Sequence, residues 1–172
     1  MNRSVAEIAR EYGPFPGIER VHGVTYDGRH LFQLADGRIQ KIDPKTGRVL
    51  ATIPAPGGGG DSGLAWAEGT LWVGQYRARK IHQVDPETGQ ILRTIESNRF
   101  VTGVTWVDGE LWHGVWDGDE AELRRIDART GEVIETLEMP SGTGLSGLES
   151  DGRDHFFCGG GRSGKVRVVR RP

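Results

Sequence analysis

The segment His113-Gly114-Val115-Trp116-Asp117-Gly118-Asp119-Glu120 holds the densest group of reactive side chains in the chain: an imidazole, an indole and three carboxylates. Imidazole is the natural general base near neutral pH, so His113 is the candidate catalytic group. Trp116 offers an aromatic wall for a polar ligand. Asp117-Gly118-Asp119 matches part of a calcium loop but lacks its remaining ligand positions, and the histidines show no zinc spacing, so no metal site is expected. Gln33, Gln75 and Arg77 add side chains able to hydrogen-bond a small molecule or peptide. Cys158 is expected to be a buried structural thiol. Gly159-Gly160-Gly161 is followed by no Lys-Ser/Thr and no helix, which excludes a phosphate loop, and no Gly-x-Ser-x-Gly elbow occurs. No cofactor is implied.

The elements that must position these groups come from a repeat. Asp43-Pro44-Lys45-Thr46-Gly47 returns as Asp85-Pro86-Glu87-Thr88-Gly89 and as Asp127-Ala128-Arg129-Thr130-Gly131, at a constant step of 42 residues. A second anchor starts at Gly23, Gly63, Gly103 and Gly147, and each copy is followed by an apolar pair: Leu31-Phe32, Leu71-Trp72, Leu111-Trp112, Phe156-Phe157. Each unit thus offers short β-branched and aromatic runs split by Gly, Asp and Pro, and a period of this size built from strands is the mark of a propeller blade. The expected fold is all-β: a small β-propeller of four four-stranded repeats in one domain over 1–172. The blades fall at about 20–53, 63–95, 103–137 and 147–169. Strict polar–apolar alternation is not expected, because neighbouring blades cover both faces of each sheet.

The fourth unit stops after its third strand, at Val166 to Val169. Ser4 to Ala9 is the candidate for the missing outer strand, which would stitch the last blade to the N-terminus; an amphipathic helix over 4–12 is the competing reading. Two closures follow. One is a four-bladed monomer, the preferred one; the other is a strand-exchanged dimer forming an eight-bladed ring.

Composition narrows the function classes. The formal net charge is −2, with 22 basic and 24 acidic residues, which argues against nucleic acid as a partner. Lys165, Arg167, Arg170 and Arg171 form the one local basic excess, expected to be a solvated strand edge. A single cysteine excludes an intrachain disulfide framework. No apolar stretch reaches the length of a membrane span, so no membrane partner and a cytoplasmic location are expected.

In a blade, the loops before the inner strands and those between second and third strands share one end, where ligand sites are built. His22, Ser62, Thr102 and Ser146 each precede an inner strand and are placed to ring the axial opening, or else to bond loop backbone. The blade pattern, Gly-Leu/Val-x-Trp/Tyr followed by Leu-Trp and Asp-Pro-x-Thr-Gly, resembles the propeller-type glutamine cyclotransferases and the wider streptogramin-lyase repeats. That resemblance implies cyclisation of N-terminal glutamine by a glutamate on a second strand. The equivalent positions here are Gln33, Val73, His113 and Cys158, none of them glutamate. The leading expectation is therefore a propeller binding a small molecule or peptide through Gln33, Gln75, Arg77, His113 and Trp116. A cyclotransferase- or lyase-related enzyme with His113 as base, and a protein-interaction scaffold, are the alternatives.

Overall fold

A computed structural model of the chain describes residues 7–172. It is all-β, with four antiparallel sheets set as propeller blades. Blade 1 comprises β1 (Val21–Tyr26), β2 (Leu31–Ala35), β3 (Arg38–Ile42) and β4 (Val49–Pro54). Blade 2 comprises β5 (Asp61–Ala67), β6 (Thr70–Gln75), β7 (Lys80–Val84) and β8 (Ile91–Glu96). Blade 3 comprises β9 (Val101–Val107), β10 (Glu110–Asp117), β11 (Glu120–Ile126) and β12 (Val133–Glu138). Among the described residues blade 4 has three strands, β13 (Leu148–Ser150), β14 (His155–Gly159) and β15 (Val166–Arg170), with one 3-10 turn at Gly161–Ser163.

The repeated turn works as its residue types dictate. Asp85 Oδ1 accepts the backbone N–H groups of Glu87 (2.8 Å) and Thr88 (2.9 Å), and Asp127 does the same for Arg129 and Thr130. These N–H donors hold both carboxyls below their usual range. Gly47, Gly89 and Gly131 close the three turns at φ of 72°, 76° and 79°, a conformation costly for any other residue.

The hydrophobic core lies in the seams between blades. Within each apolar pair the first residue faces the preceding blade and the second faces the following one. Phe32, Leu34 and Ile39 of blade 1 pack with Leu64, Leu71 and Val84 of blade 2. Trp72, Ile81 and Ile95 pack with Val104, Leu111 and Ile126 across the next seam. Trp112 and Leu123 pack with Leu148, Phe156 and Cys158 across the third. Both faces of a sheet are therefore apolar, which accounts for the missing alternation.

The inner strands pack in order, β1 on β5, β5 on β9 and β9 on β13, and among the described residues no comparable contact joins β13 back to β1. Among the described residues, no neighbouring blade covers Val24 of blade 1 or Phe157 and Val166 of blade 4. The completing strand expected at 4–9 falls partly outside the described residues, and residues 7–9 form no strand. Instead Tyr12 donates its hydroxyl to Pro44 O, and Tyr12, Pro14, Phe15 and Ile18 share a cleft with Val21, Val24, Leu31, Gln33 and Ile42 on this face of blade 1. Among the described residues, no helix is long and apolar enough to cross a membrane.

Candidate functional site

The expected site residues do not converge. Gln33 is buried and donates to Gln40 Oε1 (2.6 Å) within blade 1. His113 is 1 % exposed, faces the seam between blades 2 and 3, and contacts Gly114 O through Nδ1 (3.2 Å). Burial lowers its pKa to about 4, so it is neutral at pH 7. A cleft of about 180 Å³ beside it is lined by Asn98 and Arg124, and Arg124 is already engaged by Glu122 and by Asn98 Oδ1 (2.6 Å). Trp116 donates to Gly118 O (3.0 Å) and covers Gly144 and Gly161, where an added Cβ would meet its ring at 3.0 and 2.7 Å. It closes blade 3 onto the loop before β13. Arg77 is exposed on the β6–β7 turn. Cys158 is buried and its thiol is pushed up to about 11 by burial, so it is not a thiolate near neutrality.

The axial groups divide. Ser62 donates to Val101 O (2.7 Å) at the start of β9, and Ser146 accepts Gly161 N–H (3.3 Å) from the 3-10 turn, so both bond backbone. Thr102 Oγ1 is buried with no partner among the described residues. His22 and Ser62 line an axial cavity of about 350 Å³ collared by Gly23, Gly63, Gly103 and Gly147, with Glu149 on its far side.

The polar group that sequence reading passed over is Asp61. In blades 1 and 3 the first residue of the inner strand pairs with the end of the second strand through apolar side chains: Val21 opposite Ala35, and Val101 opposite Val115. In blade 2 the same pair is Asp61 opposite Gln75. Asp61 is 6 % exposed and sits beneath the Gly57–Gly60 loop. Its Oδ1 accepts Gly57 N–H (2.9 Å) and Gln75 Nε2 (3.4 Å), whereas Oδ2 is buried with no hydrogen-bond partner among the described residues. Burial raises its pKa, with Gln75, the backbone N–H groups of Gly57 and Gly59, and the nearby His22 opposing. His22, which lines the axial cavity, also lies 4.0 Å from Asp36. The signal available in the sequence was the departure from the repeat: a carboxylate and a carboxamide where blades 1 and 3 carry Val and Ala or Val.

No protein-family model and no curated protein sequence matches the chain. Its fold is similar to that of solved propellers. Glutaminyl cyclase from Myxococcus xanthus superposes with a TM-score of 0.68 at 16% identity, over 88% of this chain and 74% of that one. Virginiamycin B lyase from Staphylococcus aureus gives 0.63 at 16% identity, over 94% and 59%. The RRP9 WD40 repeats give 0.61 at 22% identity, over 86% and 47%. The chain thus spans only about half the length of the last two. Two of these proteins are named as enzymes and one as a repeat domain, so the likeness establishes the β-propeller fold and leaves the activity open.

Proposed function

We propose that the protein is a binding propeller whose loop-rich end takes a small molecule or peptide bearing a cationic or N–H-donating group, with Asp61 as the acceptor. The observation that carries this reading is the buried Oδ2 of Asp61, which has no hydrogen-bond partner among the described residues. Leaving a carboxylate oxygen without a donor costs about 1–3 kcal/mol, a cost a ligand donor removes. Gln75 orients the carboxylate, the Gly57–Gly60 loop covers it with little steric bulk, and His22 and Ser62 give the adjoining axial cavity a polar entrance. Gln75 is retained from the expected ligand set on this ground, and Arg77 is the exposed group at the same end.

The test is calorimetric titration with n-butylammonium, methylguanidinium and a tripeptide with a free N-terminus, beside its N-acetylated form. Binding of a cationic probe that Asp61→Asn weakens at least about tenfold supports the reading. Binding that is unchanged in Asp61→Asn defeats it.

A cyclotransferase- or lyase-related activity is the second reading, favoured by the fold shared with the Myxococcus xanthus cyclase. Ammonia release from N-terminal-glutamine peptides tests it. Activity left intact by His113→Ala would remove His113 from that role.

A further inference from the structure

The chain builds one interface three times and leaves its two halves exposed on blades 1 and 4, where Val24, Phe157 and Val166 line the axial cavity. At the position facing the following blade, Phe32, Trp72 and Trp112 are 1–3 % exposed, whereas Phe157 is 43 % exposed. Next to it, Ile39, Ile81 and Leu123 are at most 1 % exposed, whereas Val166 is 72 % exposed. At the position facing the preceding blade, Leu64, Val104 and Leu148 are buried, whereas Val24 is 60 % exposed. An added Cβ at Gly63 or Gly103 would strike the next blade's backbone at 2.9 and 2.8 Å, yet at Gly147 it meets nothing within 4 Å among the described residues. A contiguous apolar face of this kind marks an interaction surface.

We propose that a second copy of this chain covers both faces: blade 4 of each copy docks on blade 1 of the other, closing an eight-bladed ring. The two open faces are the matching halves of an interface already built inside the chain, so the contact is head-to-tail and closes by a two-fold axis. Eight blades fall within the range propellers adopt, and three copies would exceed it.

The outer rim fits as well. Gly89 and Gly131 abut Ile53 and Ile95, residues of the preceding blade's outer strand; the equivalent Gly47 abuts Tyr12. The segment at Tyr12 therefore stands where the outer strand of a preceding blade would run, and blade 4 is the one that shows no such strand among the described residues. Docking brings that segment beside the edge of β15, which pairs with no strand among the described residues. It also sets Phe157 against Tyr26 of the second copy, repeating the stacks of Phe32 on Trp66 and Trp72 on Trp106.

Tyr26→Glu and Phe157→Lys test this in the full chain, since both positions are exposed and the changes leave the isolated fold intact. Sedimentation equilibrium at about 100 μM, where a micromolar contact is nearly saturated, reads the mass. The wild-type chain is expected to be a dimer, and each variant a monomer with unchanged far-UV circular dichroism. An equimolar mixture of the two variants is expected to regain the dimer. One of its contacts is then wild-type, and the other pairs the introduced carboxylate with the introduced ammonium. A monomeric or trimeric wild-type chain, a dimer insensitive to both variants, or a mixture that stays monomeric would overturn the proposal.

Discussion

Trp66 lies stacked on Phe32 across the first seam, ring centroids 5.5 Å apart and 13° from parallel, and Trp72 repeats the arrangement on Trp106 at 6.4 Å and 12°. Each stack joins a strand of one blade to the inner strand of the next, so the aromatic residues of the repeat set the spacing of blades rather than the wall of a pocket. Removing Trp72, 3 % exposed, deletes one of the two indole rings of its seam. Trp72→Ala is expected to lower stability by about 3–5 kcal/mol in urea unfolding.

The glycine collar is a second packing device. Gly103→Ala places a Cβ 2.8 Å from Leu148 N and is expected to cost about 1–3 kcal/mol by overpacking. Gly147→Ala meets no atom within 4 Å among the described residues and is expected to leave unfolding of the isolated chain within about 0.5 kcal/mol of a Gly-to-Ala propensity change. Paired urea melts of the two variants check this.

His113 makes stability depend on acid. Its folded pKa of about 4 lies below the ordinary 6.5, so the neutral form is favoured in the fold. The associated stability is full above pH 6.5 and is lost as pH falls toward 4, by about 3 kcal/mol. His113→Gln is expected to flatten that limb of the stability–pH curve.

Asp61 acts in the opposite sense. Its raised pKa means that the stability linked to its protonated form is present below 3.8 and is lost as pH rises through the folded value. Asp61→Asn is therefore expected to raise stability at pH 7 by an amount on the order of 1 kcal/mol, and to do so less at pH 3. Urea unfolding at both pH values measures the difference.

Cys158 is expected to resist a thiol-reactive dye in the folded protein and to react once the chain is unfolded, because it is 1 % exposed and its thiol is held protonated. Absorbance of the released dye, with and without denaturant, follows it.

The blade count and the turns were legible because local chemistry fixes both: Asp43, Asp85 and Asp127 collect backbone N–H groups wherever Gly47, Gly89 and Gly131 follow. The lack of alternation in Leu71-Trp72 was legible for the same reason, each residue serving a different seam. The site was less so. His113, Gln33 and Trp116 look like ligand groups in a linear reading, but alternation along the strand sends His113 and Gln33 into seam faces and packs Trp116 over Gly144 and Gly161. The basic run near the end was read as solvated, yet Arg171 is tied to Asp108 and to Glu110 (3.1 Å) of blade 3. Such contacts depend on how blades are juxtaposed, which no local pattern encodes. Asp61 was hidden for a different reason: its type is ordinary beside glycines, and only its register opposite Gln75 shows it replacing an apolar pair.

The measurement closest to the functional claim is a 13C NMR titration of the Asp61 carboxyl, in the free protein and with methylguanidinium present. A buried carboxylate awaiting a donor titrates above 3.8 when free and moves downward when the cation is bound. A free midpoint at or below 3.8 that the cation leaves unchanged would contradict the account.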